Sequence, residues 1–329
     1  MVADGPEGPT VSGMDLDPSP SVADDVAGLD EPRMVRANGI DIAYETFGDP
    51  AQPPLLLVMG LGAQMLAWPD DLCRELADAG HHVIRFDNRD VGLSTHLRDV
   101  PPPRLRDLVL RRRRPPYTID DMADDAVGLL DALGIERAHV VGASMGGFIA
   151  QTMAIRHPHR LRSLTLIMTS TGSRRVGRPS RKVLLRLVRR RPAVDREAAV
   201  ATTVDTFRLI GSAGYPVDED HLRELASRSY DRAYDPDGYL RQVWAITVQP
   251  NRTKDLAAIT APTLVIHGLH DPLVGASGGL ALARAIGGST FVGFTGMGHD
   301  LPRQLWPDIA RQILALSSTA DGKVLTSHR

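Results

Sequence analysis

Gly142-Ala143-Ser144-Met145-Gly146 limits the possible folds more than any other stretch of this chain. An apolar run, Ala138-His139-Val140-Val141, leads into it, and a helical apolar pattern leaves it from Gly147 onward. A G-x-S-x-G set between a strand and a helix marks a nucleophile elbow. The turn is so tight that the residues two before and two after the serine must lack bulky side chains. Glycine at both places removes the clash and admits strained backbone angles. The serine hydroxyl then stands above a sheet edge, with a helix N-terminus beneath it. A serine held this way implies hydrolytic chemistry, and the rest of the chain must supply a histidine and an acid.

Strand and helix patterns alternate around the elbow. Ile40 to Phe47 reads as a strand, and Asn38-Gly39 before it is a hairpin signal. Leu55 to Met59 is a continuous apolar run, as expected of a strand buried on both faces. Helical spacing from Asp70 to Ala79, a strand from His82 to Phe86, and a capping-box start at Thr118-Ile119-Asp120-Asp121 follow. Met122, Ala126, Leu129, Leu130 and Leu133 then repeat at helical spacing up to Gly134. Further strands read at Ser163 to Met168, Thr263 to Ile266 and Phe291 to Phe294, with helices near Leu280 to Ile286 and from Trp306 to Leu316. Such alternation means a mostly parallel sheet covered on both faces, an α/β class fold.

One stretch breaks the rhythm. No sheet-core strand reads between about Ser173 and Leu256, where helical patterns dominate. The expected organisation is a disordered extension over 1–31, a core over 32–172, a helical cap over 173–256, the rest of the core over 257–316, and a flexible tail over 317–329. The start of the cap, Arg174 to Arg191, is strongly basic and reads as a solvated helix face.

Composition excludes several function classes. A formal net charge of -2 on 329 residues argues against a dedicated nucleic-acid binder. Cys73 is the only cysteine, so an intrachain disulfide and a cysteine metal cluster are both excluded. The acidic start Met1-Val2-Ala3-Asp4-Gly5-Pro6 does not read as a signal peptide, and no run approaches the ~18 apolar residues of a membrane span. The expectation is a cytoplasmic protein, monomer or homodimer, and Asn251-Arg252-Thr253 is then not a glycosylation acceptor.

A serine hydroxyl needs a base within hydrogen-bond reach, and the base needs an acid to fix its tautomer. In an elbow fold the chain order is Ser, then Asp or Glu, then His. Val265-Ile266-His267-Gly268-Leu269-His270-Asp271-Pro272 sets Asp271 just beyond a buried strand, and Phe294-Thr295-Gly296-Met297-Gly298-His299 sets His299 just beyond the next. Alone, Asp271 would read as a turn former before proline and His299 as a surface loop residue. Together, in the required order, they complete the set with Ser144. His267 and His270 are rivals for the base but share the acid's loop. Asp300 is a rival acid whose adjacency to His299 makes contact with that ring awkward. His81, His82, His157 and His159 lie at helix ends or before strands, where packing explains them. Acyl transfer also needs two donors for an oxyanion. The N–H of Met145 is one candidate, and the loop Met59-Gly60-Leu61-Gly62-Ala63 offers the N–H of Leu61 as the other. Trp68 and Trp244 are candidate walls of a substrate pocket, with core packing the competing role for Trp244.

With these residues the chain, over about Met34 to Leu316, resembles the α/β-hydrolase superfamily, and within it is similar to esterases of the aclacinomycin methylesterase type. Ala67-Trp68-Pro69-Asp70, His82-Val83-Ile84-Arg85 and Gly296-Met297-Gly298-His299 carry the closer likeness; Leu61-Gly62-Ala63-Gln64 departs from it. Asp87-Asn88-Arg89-Asp90-Val91-Gly92-Leu93-Ser94 looks like the family's loop after a strand, read here as structural. The resemblance implies an eight-stranded, mostly parallel sheet with a helical cap, Ser144 as nucleophile, Asp271 as acid and His299 as base. It implies no cofactor and no metal, and a small-molecule ester as substrate. Carbon–carbon bond hydrolysis, perhydrolysis and ligand reception with residual hydrolysis are the alternatives the same residues leave open.

Overall fold

A computed structural model describes Met1 and residues 32–104, 107, 114–188 and 193–322. The chain enters through a hairpin, β1 (Arg33–Ala37) and β2 (Ile40–Phe47), turned by Asn38 and Gly39 with φ of 45° and 77°. Two consecutive positive φ values make the turn whose twist matches the strands. Then come β3 (Pro54–Val58), α1 (Asp70–Asp78), β4 (His82–Phe86), α2 (Ile119–Ala132), β5 (Ala138–Ala143), α3 (Met145–Arg156) and β6 (Leu161–Ile167). After β6 the described residues hold four helices and no strand: α4 (Arg181–Val188), α5 (Arg196–Ile210), α6 (Glu219–Arg232) and α7 (Pro236–Val248). The sheet resumes with β7 (Thr263–Gly268), α8 (Ser277–Ala285), β8 (Thr290–Phe294) and α9 (Trp306–Ala320).

The eight strands form one sheet in the order β1-β2-β4-β3-β5-β6-β7-β8. The pairings of β1 with β2 and of β2 with β4 are antiparallel; the other five are parallel. The strand alternation splits the core into two layers. Leu56, Val58, Val140, Leu164 and Val265 face one side with α2 and α3; Leu55, Leu57, Val141, Ile167 and Ile266 face the other with α1 and α9. Each such fully buried aliphatic side chain contributes about 1.5–3 kcal/mol. Helix α2 starts at the expected capping box, Thr118 with Asp121, and ends before Gly134 at φ 69°. Cys73 is buried under Trp68, and burial pushes its thiol up to about 12.

The end of the chain corrects one expected boundary. The tail expected from Ser317 is still helix as far as Ala320. Ser317 is buried and donates to Leu314 O at 3.0 Å, and Asp321 pairs with Arg162 at 3.1 Å. Residues 323–329 and the extension expected over 2–31 lie outside the described residues. In the basic stretch, α4 buries Val183 and exposes Arg181, Lys182 and Arg186, as expected of a solvated face; 189–192 lie outside the described residues. Among the described residues no helix is long and apolar enough to cross a membrane.

Inside the sheet, His139 on β5 is 1% exposed, with Nδ1 2.9 Å from Ser163 Oγ. Burial pushes its pKa from 6.5 down to about 4. The unfolded chain therefore takes up a proton near pH 6.5 that the folded chain refuses until about 4. Stability is expected to fall as pH drops through that window, by about 2–3 kcal/mol at pH ~4.5. Urea unfolding at pH 7 and 4.5 checks this. His139→Gln keeps a partner for Ser163 and should flatten the slope; equal slopes in variant and wild type would refute it.

Candidate active site

The strand order reverses at β3. Chain growth moves to β4 on one side, then to β5 on the other, which opens a crevice at the carboxyl ends of β3 and β5. Ser144 sits there, between β5 and α3, with φ 54° and ψ -115°. That backbone is costly for any residue with a side chain, and its surroundings enforce it. A Cβ on Gly142 would lie 2.3 Å from Gly146 O, and one on Gly146 would lie 2.1 Å from Val58 O. Ser144 N donates to Ile167 O at 2.9 Å, and Thr169 Oγ1 donates to Ser144 O at 2.8 Å. The elbow is thus held by β3, β6 and the segment after β6. Its side chain stays half-exposed above the sheet.

The other two residues arrive from the ends of β7 and β8. Asp271 is buried; its Oδ1 accepts from Leu273 N and Val274 N, both at 2.8 Å. Its Oδ2 lies 2.7 Å from His299 Nδ1, and His299 Nε2 lies 2.9 Å from Ser144 Oγ. A carboxylate only accepts, so Nδ1 carries the proton and Nε2 is left to accept from the serine hydroxyl. His299 N also donates to Ile210 O, at the end of α5, at 2.7 Å. Ser144, His299 and Asp271 therefore form one hydrogen-bonded chain across the crevice.

The rivals are committed elsewhere. His267 Nε2 donates to Val274 O at 2.7 Å, and burial pushes its pKa below the ordinary value, so it is neutral and structural. His270 is exposed, and its Nδ1 accepts from Gly296 N at 2.9 Å. Asp300 accepts from Ser212 Oγ, and burial raises its carboxyl pKa.

Two candidate donors flank the serine. Met145 opens α3, where unpaired N–H groups gather at the positive end of the helix dipole. The loop after β3 runs against Ser144 so closely that a Cβ on Gly60 would lie 3.1 Å from Ser144 Cβ. Leu61 follows, half-buried against the apolar layer, in a turn closed by Ala63 N donating to Gly60 O at 3.3 Å. Trp68 and Trp244 are 0% and 2% exposed. Trp68 packs with Leu57, Met59 and Leu72. Trp68 thus packs inside the layer covered by α1 and α9, and Trp244 is buried on α7.

Sequence reasoning missed what fastens the helical insertion to this crevice. The loop Asp87–Ser94, expected to be structural, buries Asp87 and Asp90. Asp90 takes a bidentate pair from Arg241 of α7 at 2.8 and 2.9 Å, and Asp87 pairs with Arg232 of α6. Arg241 also lies 3.1 Å from Asp235, which meets His96 at 2.7 Å. Asp90, His96 and Asp235 are close enough to hold a metal ion, but Arg241 already supplies the positive charge there. The signal was two acids, Asp87 and Asp90, three residues apart in one loop that offers a single arginine; acids must find cations if buried.

Comparison with known proteins identifies the fold and the family. The family model for the alpha/beta hydrolase fold matches residues 53–302. Rhodomycin D methylesterase DauP of Streptomyces sp. (strain C5) is 33% identical over 310 residues, covering 88% of this chain and 98% of that protein. Rhodomycin D methylesterase DnrP of Streptomyces peucetius is 30% identical, over 88% of this chain and 98% of that protein. Among solved structures, the enol-lactonase from Burkholderia xenovorans LB400 superposes with a TM-score of 0.66 at 24% identity, over 86% of this chain and 99% of that one. A meta-cleavage product hydrolase from Pseudomonas fluorescens IP01 gives 0.68 at 20% identity, over 89% and 100%. These two structures share the fold. With an elbow serine at a sheet crevice and a family match spanning most of its length, the chain belongs to the α/β-hydrolase family.

Proposed function

We propose that this protein hydrolyses carboxylic esters through an acyl-enzyme on Ser144. The observation that carries the proposal is the unbroken chain from Ser144 Oγ through His299 to Asp271, at 2.9 and 2.7 Å. Ser144 Oγ attacks the ester carbonyl carbon while His299 Nε2 takes its proton. Asp271 holds the imidazolium that results. The carbonyl oxygen becomes an anion and is met by the N–H groups of Leu61 and Met145. Collapse expels the alcohol, which leaves with the proton from His299. A water molecule, deprotonated by the same nitrogen, then attacks the acyl-enzyme and frees the acid and the serine.

The relatives named as methylesterases support a methyl ester as the first substrate class to test. Helices α4–α7 act as a cap over the crevice, and acyl or alcohol size is selected beneath it, with Trp244 on α7 as one wall. Labelling with a fluorophosphonate tests the reading. Wild-type protein is expected to carry one adduct, mapped to Ser144 by peptide mass spectrometry, and to turn over methyl esters faster than dienone-type acids. An adduct on another residue would sink the mechanism, and preference for the dienone acids would move the chemistry to carbon–carbon bonds.

A further inference from the structure

We infer that Gln242, on the cap helix α7, is a positioning residue for the oxyanion loop, so that the hydrolytic step depends on how that helix is seated. This rests on the ester-hydrolase reading above.

Gln242 is 0% exposed, and both ends of its amide are used. Its Oε1 accepts from Gly62 N at 2.8 Å, and its Nε2 donates to Arg89 O at 2.8 Å. The amide orientation is fixed by its partners, because a backbone N–H needs the oxygen and a carbonyl needs the NH2. The post behind it is firm. Arg89 forks onto Asp125 of α2 at 2.5 and 2.6 Å, and the preceding residue of α7, Arg241, is locked onto Asp90.

What Gln242 grips matters more. Gly60-Leu61-Gly62-Ala63 forms a four-residue turn, and Gly62 has φ 65°. A positive φ at the third position belongs to the type II turn, which differs from type I in the orientation of its central peptide. Here that central peptide joins Leu61 to Gly62, and its N–H is the group Gln242 accepts from. On the other side of the loop, Asn88 Nδ2 donates to Met59 O at 2.9 Å, which pins the peptide between Met59 and Gly60. The peptide lying between these two carries the Leu61 N–H. Side chains thus hold both flanks of the donor, one from the core and one from the cap. The Tyr239 ring, also on α7, fills the space where a Cβ on Gly62 would stand, 2.5 Å from its Cδ2. Helix α7 therefore shapes the turn by contact and aims it by hydrogen bond.

The test uses the full chain and three variants. Gln242→Leu keeps the bulk and removes both hydrogen bonds. Gln242→Asn keeps the amide but is one methylene too short to reach Gly62. Gln242→Glu, held protonated by its burial, keeps an acceptor for Gly62 N and an O–H donor for Arg89 O. Removing an oxyanion donor outright costs about 10²–10³ in kcat. Misaiming one is expected to lower kcat about 10–100-fold in the Leu and Asn variants, with KM changed less than about threefold. A trifluoromethyl ketone, whose serine adduct places an oxyanion in the same hole, should lose affinity by the same factor as kcat/KM, whereas the carboxylic acid product should bind unchanged. Gln242→Glu should recover most of the rate. If Gln242→Leu does not fold, the Asn and Glu pair decides. Active wild type with folded variants whose kcat and ketone affinity stay within about twofold overturns this inference alone; so does a loss carried by KM alone. Wild type that takes no label and turns over no ester overturns the underlying reading, and this inference with it.

Discussion

Ser144→Ala is expected to lose ester hydrolysis by about 10⁴–10⁶ in kcat, leaving only what the oxyanion donors and substrate binding achieve over water. The removed atom is the one hydrogen-bonded to His299 Nε2 at 2.9 Å, and it is the attacking nucleophile in the proposed mechanism. Folding should hardly notice. Ser144 stands at φ 54° and ψ -115°, a backbone as costly for alanine as for serine. Ser144→Gly separates the two effects. It should be as inactive as the alanine variant, yet more stable than wild type by about 1–3 kcal/mol, because glycine alone adopts that conformation without strain. Steady-state kinetics and thermal unfolding of the three proteins check both halves. Residual activity near wild type in either variant would require another nucleophile, and a glycine variant no more stable than the alanine one would show that the elbow stores no strain.

Asp271→Asn is expected to be nearly as severe, about 10⁴ in kcat, for a reason particular to this loop. Oδ1 of Asp271 accepts from two backbone N–H groups, Leu273 and Val274. An asparagine must keep its carbonyl oxygen there, since its NH2 cannot accept. The NH2 then faces His299 Nδ1, which has to become an acceptor. The ring proton moves to Nε2, where it faces the serine, and the base is lost although every heavy atom stays in place. Nitrogen-15 NMR of the labelled imidazole should show the proton on Nε2 in the variant and on Nδ1 in wild type. A variant with the wild-type tautomer and undiminished kcat would mean that Asp271 does not set the base.

What the sequence disclosed followed from locality. The elbow was legible because its constraints lie within five residues: two glycines, a serine, a strand before and a helix after. Asp271 and His299 were legible because each follows an apolar run that reads as a strand, fully buried in β7 and half-buried at the sheet edge in β8, and chain order did the rest. The hairpin at Asn38-Gly39 and the capping box at Thr118 were readable for the same reason. The fastening of the cap was not. Asp90 finds Arg241 and Gly62 finds Gln242 across about half the chain, and each of those partners is an ordinary residue of its own helix. An arginine on an amphipathic helix reads as solvated until a buried acid is known to lie opposite. The last helix was read short because Ser317 and Thr319 look like a tail, whereas Ser317 is packed and Asp321 is tethered to β6 through Arg162.

The insertion between β6 and β7 also bears on how the chain is made. These strands pair in parallel, Leu164 with Thr263 through Ile167 with Ile266, yet the whole of α4–α7 must be synthesised between them. At ~5–20 residues per second, β6 waits roughly 5–20 s on the ribosome as an apolar strand with one unpaired edge. Such an edge invites pairing with another chain. The nascent helices of the insertion are the first material available to shield it, before the acid and base strands emerge. The helical segment between β6 and β7 is thus also the first chain made next to that open edge.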